Sequence, residues 1–296
     1  MNNPNLNPEL TILIVLYKEN LDLIEKNLDN LNAFKKIIID NASDYELKKK
    51  LENKYLISNY ILNKKNVGYS KAYNQAINLC STKYALMLTA DCVMSGESII
   101  KLLDSHKKYK NCFITSPTSY DDNEHLTYSG GLLPENCTFQ SPLNVSGDVC
   151  VQSTLGAAML FKTNDIKEIG LLDENFFLYY SDIDLCRRII KEKKSVIQIF
   201  SSKCNHSHGN IKAKSAIQKI FIRQNNITYD GLYYYYKMGV FNKDLIKIKK
   251  KIFNYFFKFI INFIILRIKK SVLFLGKFIG CFRFLFFITY NKKNEI

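Results

Sequence analysis

Four short runs of branched apolar residues, each followed by a helical pattern, fill the first ninety positions, and no other feature narrows the fold as far. Leu10–Tyr17 reads LTILIVLY, Lys36–Asp40 reads KIIID, Tyr60–Leu62 is a third run, and Tyr84–Thr89 reads YALMLT. Continuous apolar runs of this length are strands buried on both faces, the mark of a parallel sheet. Between them, Leu21, Ile24, Leu28 and Leu31 fall at helical spacing. Ser43 and Glu46 have the S-x-x-E spacing of a capping box. Residues 69–80 read as a further helix. The alternation predicts βαβ units and a sheet with helices on both faces. Ligands of such sheets lie at the carboxyl ends of the strands, where Asp40 and Asp91 fall.

The rest of the chain is less regular. Residues 117–152 carry Gly130-Gly131, Pro134 and Pro142 and read as a loop or hairpin region, a lid or acceptor loop. Thr154–Phe161 is expected as a strand, Ser181–Lys191 as a helix and Val196–Phe200 as a last strand. A loop bearing Cys204, His206 and His208 and a helix over 214–236 follow. The 296 residues, 47% apolar and 23% charged, suffice for one core of about 240 residues with an appendage and exclude a disordered chain. None of the eight cysteines is spaced C-x-x-C, which argues against a zinc ribbon or redox pair and suits a reducing cytosol. The polar stretch Met1–Glu9 has neither the basic nor the apolar region of a signal peptide.

Charge divides the chain near residue 236. Beyond it stand 14 Lys and Arg against 2 Asp and Glu, a net +12 of the total +15, leaving +3 for residues 1–236. Only five of the 42 basic residues are Arg, which disfavours a nucleic-acid reader, and a phenylalanine-rich tail fits that class poorly. Over 245–270, Lys247, Lys251, Asn254, Lys258, Asn262 and Lys269 share one helical stripe, with Ile265 on it and Lys249 and Arg267 off it, and the rest of the surface is mainly Phe, Ile, Leu and Tyr. That pattern suits a helix lying in a membrane interface; the alternative is a core helix packed on the body. Residues 271–290 are long enough to span a bilayer. Their 14 apolar side chains supply roughly −4 to −8 kcal/mol, while Lys277 and Arg283 cost about 2.5–3.5 each, so peripheral insertion is expected rather than a span.

The motifs with chemistry lie in residues 10–236. Asp40-Asn41-Ala42-Ser43 can serve a base or ribose, or only an Asx turn into a cap. Asn66-Val67-Gly68 with Asn74 allows close ligand approach, or is a helix entry. Asp91 can hold a divalent cation on a diphosphate, with His206 as a second ligand or a polar loop residue. In Leu171–Arg188 (LLDENFFLYYSDIDLCRR), Ser181 and Asp184 fit a helix cap and Asp184 an i+4 pair with Arg188. Asp182 is needed for neither, and a carboxylate in a first helical turn is a candidate general base.

In order and spacing, these residues, together with Gly156-Ala157-Ala158, Asp173-Glu174, Phe176-Phe177 and Tyr180-Ser181-Asp182, resemble a family 2 glycosyltransferase of the bacterial rhamnosyltransferase-like branch that builds surface polysaccharides. The resemblance implies a GT-A fold, a Rossmann-like mixed α/β sheet binding a nucleotide sugar, and inverting, metal-dependent transfer. It implies that Tyr17, Glu19 and Asp40, with Asn41, Asn66, Gly68 and Asn74, line the donor pocket. Asp91 would be the second acid of the metal-binding D-x-D, with His206 as a further ligand to Mg²⁺ or Mn²⁺. Asp182 would be the catalytic base. Thr89 stands where the family has the first acid of D-x-D, and Ser181 where it has a Glu.

The expected protein is a glycosyltransferase domain over 1–236 with a membrane-associating tail over 237–296. It would sit at the cytoplasmic face of the plasma membrane on anionic lipid and extend a lipid-linked glycan, with rhamnose as one candidate sugar and no nucleic-acid partner. Two alternatives stay open: the same fold using a galactosyl or N-acetylhexosaminyl donor, and a non-catalytic module that binds sugar nucleotides or glycans.

Overall fold

The computed structural model describes residues 6–137, 141–206, 213, 215–239 and 245–294. The chain forms two compact units: residues 1–174 with 181–210, and residues 175–180 with 211–296. The expected boundary at 236/237 falls inside the second unit.

The first unit opens as its sequence predicts. Strands β1 (Leu10–Leu16), β2 (Lys35–Asp40), β3 (Asn59–Leu62) and β4 (Tyr84–Thr89) alternate with helices α1 (Leu21–Asp29), α2 (Tyr45–Lys54) and α3 (Tyr69–Leu79). They pair in parallel in the order β3-β2-β1-β4. β1 faces apolar layers on both sides, which is why its run is continuous. Ile12 and Ile14 pack with Ile24 and Leu28 of α1, and Leu13 packs with Ala72 and Tyr73 of α3. The expected capping box at Ser43 is not formed. Ser43 has φ +58°, and Asp44 caps α2 by accepting from the Leu47 amide at 2.9 Å.

Beyond β4 come β5 (Cys92–Met94), α4 (Gly96–Lys108), β6 (Cys112–Tyr120), β7 (Gly130–Gly131), β8 (Val149–Val151) and β9 (Ser153–Thr154). They are followed by β10 (Ala158–Lys162), α5 (Thr163–Glu168), α6 (Ser181–Lys191) and β11 (Ser195–His206). β10 inserts antiparallel between β4 and β6, which makes the sheet mixed. The strand expected over Thr154–Phe161 breaks around Leu155–Ala157, leaving Gly156 outside regular structure. The expected last strand extends to His206.

The second unit holds α7 (Ala216–Lys237), α8 (Leu245–Ile264) and α9 (Ile268–Asn294). α9 packs on α7 through two glycines at i and i+4. A Cβ at Gly280 would lie 2.5 Å from the Asn225 carbonyl, and one at Gly276 would lie 2.9 Å from that of Phe221. One turn further, Arg283 donates to the side-chain oxygens of Asn225 and Asn226 and covers the Tyr229 ring. Its charge, counted above as an insertion cost, is therefore turned to α7. By length and composition α9 is the one helix among the described residues able to cross a membrane. α8 is not a core helix: of its described side chains only Ile248 is fully buried. Asp230, in mid-α7 and wholly buried, accepts the amides of Phe177, Leu178 and Tyr179 at 2.8–3.1 Å. Burial pushes its carboxyl up to about 6, against the pull of those amides and of Arg283.

Candidate active site

The carboxyl ends of β1, β2 and β4 gather the predicted donor-binding residues. Asp40 ends β2 and is buried. It accepts from the Ala42 amide at 2.6 Å, the Asp44 amide at 3.1 Å and the Tyr60 hydroxyl at 3.4 Å, so the Asx turn weighed in the sequence is present. Asn41 donates to the Gly68 carbonyl at 3.3 Å and accepts from Asn63. Asn66 takes the Gly68 amide at 2.9 Å, and Gly68 enters α3 at φ +90°, a conformation that favours glycine. Tyr17 and Glu19 lie half-buried just after β1. Asn74 behaves differently. Its amide is consumed by both backbone groups of Leu172 and by Glu174. It ties α3 to the segment before α6.

The acids form a second group. Asp91 follows β4, and His206 at the end of β11 pairs with Cys92 of β5. That ladder brings His206 Nε2 to 3.6 Å from Asp91 Oδ1. Burial works against ionisation of Asp91, but His206 and the Thr89 hydroxyl outweigh it and hold the carboxyl below its ordinary range. Thr89, where the family has an acid, thus supports the acid two residues on. His208 lies outside the described residues.

Asp182 sits in the first turn of α6. Its Oδ2 accepts the Gly156 amide at 2.8 Å and its Oδ1 the Ile183 amide at 2.9 Å. Burial pushes its carboxyl up, and the two amides only partly offset this. Asp184 makes the expected pair with Arg188 at 3.0 Å, and that guanidinium also holds the Ile169 and Leu171 carbonyls. Asp182 takes no part in that pair.

Two residues to which the sequence reading gave no role connect the groups. The Tyr69 hydroxyl, at the start of α3, donates to the Gly156 carbonyl. Its acidity is suppressed by burial first, then by the fields of Tyr73, Asp182 and Asp91. One phenol therefore feels both candidate acids. Gly156 is held between Tyr69 and Asp182, since a Cβ there would meet the Tyr69 oxygen at 2.4 Å and Asp182 Oδ2 at 3.3 Å. Gly156 entered the sequence reading only within the Gly156-Ala157-Ala158 motif of the resemblance, with no role attached.

A divalent cation fits this chemistry in part. Asp91, in the turn before β5, and His206, at the end of β11, are an oxygen donor and an imidazole, and no group of three such ligands exists among the described residues. Cations that bind phosphorylated substrates are commonly held by one or two carboxylates together with substrate phosphates.

Comparisons with known proteins bear on the family and the fold. The model of glycosyl transferase family 2 matches residues 11–164. A hexosyltransferase of low-salt glycan biosynthesis, Agl10 of Haloferax volcanii, is 28% identical over 203 residues, covering 64% of this chain and 64% of that protein. The chain thus spans under two thirds of that relative's length. The rhamnosyltransferase WbbL of Escherichia coli K12 is 25% identical, covering 61% of this chain and 76% of its own. Among solved structures, GalNAc-T7 with UDP, GalNAc and Mn²⁺ superposes with a TM-score of 0.57 at 13% identity, over 75% of this chain and 48% of that one. The mannosyltransferase PcManGT of Pyrobaculum calidifontis, with GDP-Man and Mn²⁺, gives 0.52 at 11%, over 76% and 65%. The mixed sheet with its parallel half is the GT-A fold, and the chain belongs to glycosyl transferase family 2.

Proposed function

We propose that this protein is an inverting glycosyltransferase that moves a sugar from a nucleotide-diphospho-sugar to a hydroxyl of a growing, lipid-linked glycan. The observation that carries the reading is geometric: Asp182 accepts the Gly156 amide, Tyr69 donates to the Gly156 carbonyl, and Asp91 faces His206 at 3.6 Å, with burial raising the Asp182 carboxyl and His206 helping to lower that of Asp91. Two carboxylates whose surroundings push them apart suit two roles. Asp182 is the base. The acceptor oxygen bonds to the anomeric carbon as the bond from that carbon to the diphosphate breaks. The diphosphate leaves with the electron pair, and the hydroxyl proton passes to Asp182. A raised carboxyl is the better proton acceptor near neutral pH. One displacement inverts the centre without an enzyme nucleophile.

Asp91 and His206 would hold Mg²⁺ or Mn²⁺, which when bound neutralises charge on the departing diphosphate. Both solved relatives were captured with Mn²⁺ and nucleotide or nucleotide sugar, which supports this assignment. The names of the two curated relatives support a hexose or rhamnose as the transferred sugar. The exposed apolar residues of α8 and the cationic tail support peripheral attachment to the anionic cytoplasmic face of the membrane, where a lipid-linked acceptor is found. The test is acceptor-dependent release of nucleoside diphosphate from a panel of UDP-, GDP- and dTDP-sugars, with and without Mn²⁺. One donor should turn over; binding without turnover of any donor, across lipid-linked acceptors, would make the chain a binding module.

A further inference from the structure

The turn joining α8 to α9 runs against the usual chemistry of turns. Phe263, Ile264, Ile265 and Leu266 follow one another without a polar residue, and all are exposed, Leu266 to 80%. Connections that meet water ordinarily take Gly, Asn, Asp or Ser. The backbone here closes as a Schellman turn: the Arg267 amide donates to the Asn262 carbonyl at 2.8 Å, and the Leu266 amide to that of Phe263 at 3.1 Å. Leu266 holds the left-handed position, with φ +56°, where helices most often place glycine. A leucine there is both sterically strained and exposed. Its side chain has a use only if something outside the fold covers it.

The polar groups of the tip turn inward. Asn262 donates to the Lys258 carbonyl at 2.7 Å, and the Ser271 hydroxyl to the Phe259 carbonyl at 3.1 Å. The amides of Ile265 and Ser271 close on Ile261 and Arg267. Internal satisfaction of this kind is what hydrocarbon demands of a backbone. Around the tip stand Lys258, Arg267, Lys269 and Lys270, and no Asp or Glu occurs between Leu245 and Tyr290. Such a collar complements lipid phosphates, whereas a second copy would set like charges together.

We propose that the α8–α9 turn is an insertion tip. Phe263–Leu266 enter the hydrocarbon edge of an anionic bilayer while the four cations stay among the headgroups. The proposal rests on the membrane reading above and deepens it: the hairpin enters end-on instead of lying flat.

Leu266→Gly separates folding from binding by sign. Glycine relieves the backbone, so the full-length variant should melt no lower than wild type. Its partition onto vesicles of phosphatidylglycerol and phosphatidylcholine should nevertheless fall roughly tenfold, the loss of one buried leucine. The chain has no Trp, so Leu266→Trp is a lone reporter; its emission should move to the blue on vesicles and be quenched by brominated acyl chains. Wild-type protein that does not float with anionic vesicles overturns the membrane reading itself. Wild-type and Leu266→Gly protein floating equally, with the reporter's emission unchanged, overturns the tip alone. A blue shift that grows with protein concentration in the absence of vesicles points to self-association and also overturns it.

Discussion

The strands of the first unit and the last two helices of the second use the same kinds of side chain and leave them on opposite sides of the solvent boundary. Leu10, Ile12, Leu13 and Leu16 are covered almost completely, whereas Phe257, Ile261, Ile264 and Leu266 are each more than half exposed. What separates the regions is the charge set beside the apolar residues. Residues 1–236 are nearly balanced, while Leu245–Tyr290 holds ten Lys and Arg and no acid. Apolar content says that a face gains by leaving water. The accompanying charge says whether protein or anionic lipid will cover it.

The largest test of this division is Asp182→Asn. It should lower transfer a hundredfold or more, the scale of general-base catalysis, with vesicle binding unchanged. Turnover near wild type would remove the chemistry from the first unit. Asp91→Ala should abolish the cation-dependent part of nucleotide-sugar affinity, read by calorimetry with and without Mn²⁺; a chelator without effect on wild type would break the metal assignment.

Asp230→Asn sharpens the comparison from the other side. The folded carboxyl holds its proton up to about pH 6, while in the unfolded chain it ionises near pH 4. Between those values the native state binds more protons, so stability should fall by a few kcal/mol as pH rises through the window. The variant should lose that slope in urea melts of the full chain, and an unchanged slope would assign it elsewhere. The smallest expected effect belongs to Gly280→Ala, whose methyl presses on the Asn225 carbonyl. A cost of about 1–3 kcal/mol should appear in thermal unfolding, with nucleotide affinity untouched. Lowered affinity would couple α9 packing to the donor site.

The parallel half of the sheet was legible because both faces of each strand are covered, so the strands read as unbroken apolar runs. The far half was not. β6 reads CFITSPTSY, yet Thr115, Ser116, Thr118 and Ser119 are buried, and side-chain hydrogen bonds such as that of Thr118 to the Ile199 carbonyl replace the apolar signal. The Ser43 cap failed because α2 starts one residue later: Asp44 caps it through the Leu47 amide, and Ser43 takes a left-handed φ of +58°. Asp182 stood out in the sequence as a carboxylate with no capping role, while Asp91 and His206 were singled out as cation ligands chiefly through the resemblance. The part of Tyr69 and Gly156 was not legible, because it depends on close approach between segments 87 residues apart. The engagement of the Asn74 amide was not legible either, because its partner segment comes 98 residues later.

The three amides held by Asp230 also set an order of events on the ribosome. Phe177, Leu178 and Tyr179 emerge 51–53 residues before the carboxylate that receives them. At roughly 5–20 residues per second this is a wait of about 3–10 s. During it, the segment leading directly into Ser181 and Asp182 carries unpaired donors, open to water, chaperone or an errant strand edge. The entry to α6 therefore settles only after α7 has emerged, and no shortened chain lacking α7 can settle it in the same way.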